Sequence, residues 1–199
     1  MAITIKFDPS GVPEKPTLVL ATRDGTKLGE INTATDFDVR DTLTGGAEFS
    51  VTAHKTFEGR ECSLWDSIAP LKLVWCREWD KWFQIDIDTE ESSETVKHIT
   101  AMSLAEAELS QINLYDFECN TESDISSDDY VVTVLYDASN PKGSLLNRML
   151  EKAPHYSIGH VDNTIQNIQR SFSFDNTSIY DAMQEISEEV GCIFIFGSA

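Results

Sequence analysis

Along residues 47–53 apolar and polar side chains alternate without a break. Ala47, Phe49, Val51 and Ala53 fall on one face, and Glu48, Ser50 and Thr52 on the other. A period of two is the signature of a β-strand with one wet side. Upstream, Thr17 to Thr22 and Lys27 to Ile31 flank Arg23-Asp24-Gly25-Thr26. The Asp-Gly pair supplies the positive φ that a tight hairpin needs. Phe37 and Val39 alternate with Asp36, Asp38 and Arg40, and a turn over Asp41–Gly46 leads into the alternating strand. A third hairpin carries Leu71, Leu73 and Trp75 on one arm, turns at Arg77–Lys81, and returns with Phe83, Ile85 and Ile87 opposite Gln84, Asp86 and Asp88. A strand from Thr95 to about Met102 completes the set, and Ser63–Ile68 reads as a helical turn. Many short strands at these spacings predict a sandwich or small barrel.

The pattern changes near residue 116. Between His98 and Pro141 there is no Lys or Arg, while Asp116, Glu118, Glu122, Asp124, Asp128 and Asp129 accumulate. This stretch is the expected domain boundary, giving a β-barrel-like domain over 1–115 and an α+β domain over 116–199. Tyr130–Tyr136 is apolar on both faces, as a buried central strand would be. Asn140-Pro141-Lys142-Gly143 breaks the chain, and Ser144 caps a helix over Leu145–Ala153 that Pro154 stops. Tyr156–Val161 and Ile168–Phe174 read as further strands. In the last helix Ile179, Met183, Ile186 and Val190 form one apolar stripe, with Asp175, Asn176 or Thr177 as cap and Gly191 at the C-terminal cap. Cys192–Phe196 then reads as a buried strand. Its position so near the last residue suggests an N-terminal piece of a longer polypeptide.

Charge narrows the partners. The 199 residues carry 34 acidic and 15 basic side chains, a formal net charge of −19. A nucleic-acid binder needs a basic stripe to neutralise phosphates, and the sequence has none. An anionic membrane surface would repel such a chain. A hydrophobic content of 41% is that of a globular protein, whose partners are then other proteins or small ligands. The start at Met1 lacks a basic region followed by an apolar one, so no signal peptide is expected, nor any membrane span. Cys62, Cys76, Cys119 and Cys192 are far apart, which argues against a zinc framework and for free thiols in a reducing cytoplasm. The sequon Asn176-Thr177-Ser178 carries no weight without a secretory signal.

Residues that carry chemistry are sparse. His155, His160 and Asp162 form a candidate metal or acid–base cluster, but the spacing matches no standard ligand pattern, and Pro154 and Gly159 suggest a turn. His54 and His98 stand alone. Asp86, Asp88, Glu90, Glu91 and Glu94 resemble a calcium run without the central glycine of an EF-hand loop, and a solvated strand edge is the simpler reading. The P-loop, G-x-S-x-G, H-E-x-x-H and dinucleotide fingerprints are absent. Gly45-Gly46 is better explained by a turn than by a phosphate cradle. Trp65, Trp75, Trp79 and Trp82 cluster, and Trp79 in the hairpin loop is the one expected to be exposed, free to hold a sugar ring or anchor an interface. The residues therefore nominate no catalytic, cofactor-binding or metal-binding position, and the chain reads as a β-rich assembly module, not an enzyme.

Two runs carry a family resemblance. VLYDASNPKGSLLNRMLEKAPHYSIGHV, from Val134 to Val161, and RSFSFDNTSIYDAMQEISEEVGCIFIF, from Arg170 to Phe196, resemble tail-associated hub proteins of phages and prophages of Gram-positive bacteria. These are the proteins labelled tail endopeptidase or minor structural protein, and the likeness is weaker before about residue 100. The resemblance implies an N-terminal baseplate hub: a ring-shaped trimer at the virion tail tip, built from β-barrel-like domains with an α+β insertion and meeting the distal tail protein. Assembly would take place in the bacterial cytoplasm. In that family lytic activity resides in C-terminal domains, so it is not carried over to these residues. A wall-carbohydrate-binding module and a fragment of a peptidoglycan-degrading enzyme are the alternatives.

Overall fold

The computed structural model describes Pro9 and residues 14–41, 46–88, 90–128 and 130–197. It is a β-rich α+β protein with one large antiparallel sheet and few helices. The chain forms two compact units, Met1–Ala107 with Ile195–Ala199 and Glu108–Phe194, where the sequence places a single boundary near 116.

The first unit contains β1 (Leu18–Ala21), β2 (Lys27–Glu30), β3 (Ala34–Asp41), β4 (Ala47–His54), the small pair β5 (Thr56–Phe57) and β6 (Arg60–Glu61), β7 (Leu73–Cys76), β8 (Lys81–Asp88) and β9 (Val96–Ser103). Seven of these make an antiparallel sheet in the order β2-β1-β7-β8-β9-β4-β3. The two edge strands, β2 and β3, are consecutive in the chain and joined only by Ile31, Asn32 and Thr33. In a flat sheet the six steps between them would span about 29 Å at ~4.8 Å per step. The linker covers at most about 15 Å at ~3.8 Å per Cα step. The sheet must therefore curl. Two backbone bonds mark the corner: Ile31 N–H donates to Leu18 O at 2.9 Å, and His54 N–H donates to Thr33 O at 3.3 Å. No ladder joins β2 to β3 among the described residues.

Curling wraps one face around an apolar cluster. Ala47, Phe49, Val51 and Ala53 point inward as their alternation predicts, joined by Leu18, Leu20, Val74, Phe83, Ile85 and Ile99. Phe49 and Phe83 meet with ring centroids 5.4 Å apart. The helical turn is a single 3-10 turn, Trp65–Ser67, and it packs Trp65 and Ile68 into the same cluster. Lys97 holds that turn: its ammonium donates to Trp65 O and Ile68 O at 2.7 and 2.8 Å and lies 4.5 Å from the Trp65 ring centroid. The first hairpin forms as expected, with Gly25 taking the positive φ of 82°. Asp24 accepts from Thr22 Oγ1 and from the Thr26 amide. Leu71 departs from expectation: at φ 65° it lies outside β7 and is 52% exposed. The turn expected over Asp41–Gly46 falls largely outside the described residues, as does the segment beginning at Met1.

Helix α1 (Leu104–Leu109) contains the division between the units. The second unit has β10 (Asn113–Leu114), β11 (Phe117–Cys119), α2 (Glu122–Ile125), α3 (Leu145–Leu150), β12 (Phe172–Phe174), β13 (Thr177–Ser178) and α4 (Ile179–Val190). Its ladders are short: β10 pairs with β13, and β11 with β12. Ser144 caps α3 as read from the sequence, its side chain accepting from Asn147 N–H. The helix ends at Leu150, and Ala153 is buried in the turn that follows. Helix α4 buries Ile179, Met183 and Ile186 and ends at Gly191 with φ 70°. Its cap is Ser178, not Asp175, Asn176 or Thr177, because Thr177 and Ser178 are first used in the ladder with β10.

Four expected strands are corrected. Tyr130–Tyr136 is not a central strand: Val131 and Val132 are exposed, and Val134 makes only an isolated bridge with Ser144. The Asn120 side chain takes the place of a neighbouring strand there, accepting from Thr133 N–H at 3.1 Å and donating to Thr133 O at 2.7 Å. Tyr156–Val161 forms no ladder, and of its residues only Val161 is buried. Ile168–Phe174 contracts to β12, because the Gln166 and Ile168 carbonyls are used by the amides of Tyr136 and Leu135. Cys192–Phe196 is assigned to no strand among the described residues, and Ile193 and Ile195 are exposed.

Phe83 is fully buried at the centre of the first unit, so Phe83→Ala should cost about 3–5 kcal/mol of folding stability by urea denaturation. A loss below about 1 kcal/mol would show that the curled sheet does not rest on this core.

Candidate functional site

The side chains that face away from the core between β3, β4, β9 and β8 line a half-open cavity of about 390 Å³. Strand alternation places them there. Asp38 and Arg40 pair in register with Ser50 and Glu48, Met102 lies opposite Glu48 and Gln84, and Thr100 lies opposite Asp86. Glu106 from α1 completes the wall. Four carboxylates, Asp38, Glu48, Asp86 and Glu106, thus share the cavity with one cation, Arg40. Arg40 Nε is 3.4 Å from Asp38, and both side chains are well exposed, which makes this a weak pair. Met102, 43% exposed, adds an apolar patch. Burial, and then the charge of Glu48, raises the Glu106 carboxyl above its ordinary value. Such a lining repels anions and favours cationic groups.

The calcium-like run is divided between two tasks. Asp86 is part of the cavity wall. Asp88 shapes the turn after β8 by accepting from the amides of Glu90 and Glu91 at 2.9 and 3.3 Å. Among the described residues no three His, Cys, Asp or Glu side chains are grouped to hold a metal ion.

The histidines are dispersed among local contacts. His54 Nε2 lies 2.9 Å from Thr35 Oγ1, and its ring stacks on Phe57. His98 Nδ1 lies 3.3 Å from Thr52 Oγ1, its register partner. His155 and Tyr156 both reach Glu108 Oε2, at 3.3 and 2.7 Å. Burial and this carboxylate push the Tyr156 phenol well up. Asp162 instead caps its own turn: hydrogen bonds from Thr164 hold its carboxyl low, with His160 a lesser contributor.

The tryptophan expectation is corrected. Trp65 is buried, but Trp79 folds back from the hairpin turn and packs against the core cluster. Trp75 and Trp82 are the half-exposed pair, because they face each other in register on the opposite side of β7 and β8 from Val74 and Phe83. Their rings stack 6.2 Å apart, and the Trp75 indole N–H donates to Asp80. Lys27 Nζ sits 3.4 Å from the Trp75 centroid, so that face is already covered by the chain itself. Both the cavity and this stack come from residues distant in sequence. Alternation reveals which side chains face outward, but not that β8, β9, β4 and β3 are neighbours.

No protein-family model and no curated protein matches the chain.

A raised carboxyl makes the folded state prefer protonated Glu106, so its ionisation costs stability as pH rises through and above the ordinary value of 4.5. Glu106→Gln should therefore melt at a higher temperature than the wild type at pH 7, and the two curves should converge below about pH 4. A lower melting temperature for the variant at pH 7 would contradict this environment.

Proposed function

We propose that this chain is a structural assembly module of a phage or prophage tail tip, the N-terminal part of a baseplate hub, and not an enzyme. One observation supports the reading: a seven-stranded antiparallel sheet whose two edge strands are joined by three residues, in a unit separate from an α+β unit over Glu108–Phe194. The resemblance of residues 134–161 and 170–196 implies β-barrel-like domains with an α+β insertion, and the second unit, Glu108–Phe194, lies between the two stretches of the first. On this reading the hub forms a trimer and meets the distal tail protein. The excess of 34 acidic over 15 basic side chains suits a passage for DNA, since like charges keep the nucleic acid from adhering.

A wall-sugar module is the second reading, and the Trp75–Trp82 stack is what favours it. A sugar ring needs an open aromatic face, however, and Lys27 occupies that of Trp75. The hub reading therefore ranks first.

Gold-labelled antibody against this chain should decorate the tail tips of particles induced from bacteria whose prophage encodes the sequence. Gold that reaches host cell walls but never tail tips would contradict the hub and support the sugar module.

A further inference from the structure

Between Ile125 and Val132 the second unit turns three large apolar side chains to water. Ile125 is 54% exposed, Val131 39% and Val132 49%. Exposed apolar residues standing singly are ordinary, but three on one short stretch form a patch of the kind that binds partners. The local structure holds them outward. None of the four residues of α2 is buried, so Ile125 at its end faces solvent. Val131 and Val132 follow the turn in which Tyr130 N–H donates to Ser127 O at 3.2 Å. Asn120 ties both pieces together. Its backbone N–H donates to Asp124 Oδ2 of α2 at 3.0 Å, while its side chain brackets Thr133 and accepts from the Tyr130 hydroxyl at 3.3 Å.

The surroundings of the patch are acidic. Glu122 and Asp128 are exposed beside it, and between His98 and Pro141 the sequence has no Lys or Arg. Arg148 reaches the segment from α3, but its guanidinium is engaged, donating to Thr133 Oγ1 and Glu118 O at 3.1 and 2.6 Å. Lys142, exposed next to Gly143, borders the patch where Val134 N–H donates to Gly143 O at 2.8 Å.

We propose that this patch docks a basic segment of a different protein, one that sets apolar side chains between lysines or arginines. Charge selects the occupant. Glu122 and Asp128 repel a nucleic acid or an anionic lipid surface. A second copy fits no better, because a symmetric contact through this patch would set Glu122 and Asp128 against their own counterparts. A basic segment meets no such penalty. The carboxylates steer and orient it, and Ile125, Val131 and Val132 supply the apolar area that contact removes from water. The inference goes beyond the assembly reading and does not depend on it.

Calorimetric titration of the full chain with synthetic peptides tests it. The probe is a peptide alternating lysine and valine; the controls alternate lysine with serine, at equal charge, and glutamate with valine, at equal apolar content. The chain should bind the lysine–valine peptide at least about tenfold more tightly than either control. Ile125→Ser with Val132→Ser, and separately Glu122→Gln with Asp128→Gln, should each weaken that binding about tenfold with unchanged far-ultraviolet circular dichroism. Lys142→Gln should tighten it. Glu90→Gln with Glu91→Gln, the same change of charge at exposed positions of the first unit, should leave it unchanged. Equal affinity for the lysine–valine and lysine–serine peptides, or equal weakening by the Glu90 and Glu91 variant, would reduce the effect to bulk charge and overturn the inference. Binding that survives either patch variant would also overturn it. So would self-association in sedimentation that Ile125→Ser with Val132→Ser abolishes, since a second copy would then cover the patch. Tail-tip labelling is read independently of all these outcomes.

Discussion

The three-residue corner Ile31–Thr33 constrains the first unit more than any other feature. It ties the two outermost strands of a seven-stranded sheet together, and a flat sheet would hold them about twice as far apart as the corner can reach. The backbone meets this demand by curling, and curling creates an inside. Phe49 and Phe83 fill it, Trp65 and Ile68 plug it, and Lys97 fastens the plug through two carbonyls. On the other side of β8, β9, β4 and β3, carboxylates of the strands and Glu106 of α1 line a hollow.

The second unit is held together differently. Its ladders are only two or three residues long, and side chains supply bonds that strands would otherwise make. Asn120 brackets Thr133 and also donates to Arg170 O. Arg148 donates to Thr133 Oγ1 and Glu118 O while stacking over Phe117. Fixed side-chain partners of this kind specify one arrangement of irregular backbone, because a buried peptide group left without a partner is costly. They also leave strand-prone sequence outside the ladders among the described residues, most visibly at Val131 and Val132.

Much of the first unit was legible because its signals are local. Alternation over Ala47–Ala53, the Asp24-Gly25 turn and the paired runs around Arg77–Lys81 depend on residues close in sequence, and each became the strand or hairpin expected. The ends of α4 were half legible. Gly191 could be read from the sequence, but Ser178 could not, because the ladder partner of Thr177 and Ser178 lies more than sixty residues away. Tyr130–Tyr136 was misread because it has strand composition, but a strand also needs a neighbour, and propensity says nothing of neighbours. Trp79 shows the same limit at one side chain. A loop position suggests exposure, yet a turn at the end of a curled sheet can fold its largest residue back onto the core. The cavity, assembled from four separate elements, left no motif to find.

The proposed assembly role requires contact between copies that each carry a formal net charge of −19. Its central claim is that these residues suffice for association. Absolute mass by light scattering, measured from dilute to concentrated solution, tests this most directly. The account predicts a mass near three times 22.3 kDa as concentration rises. A constant 22.3 kDa at every concentration would contradict it.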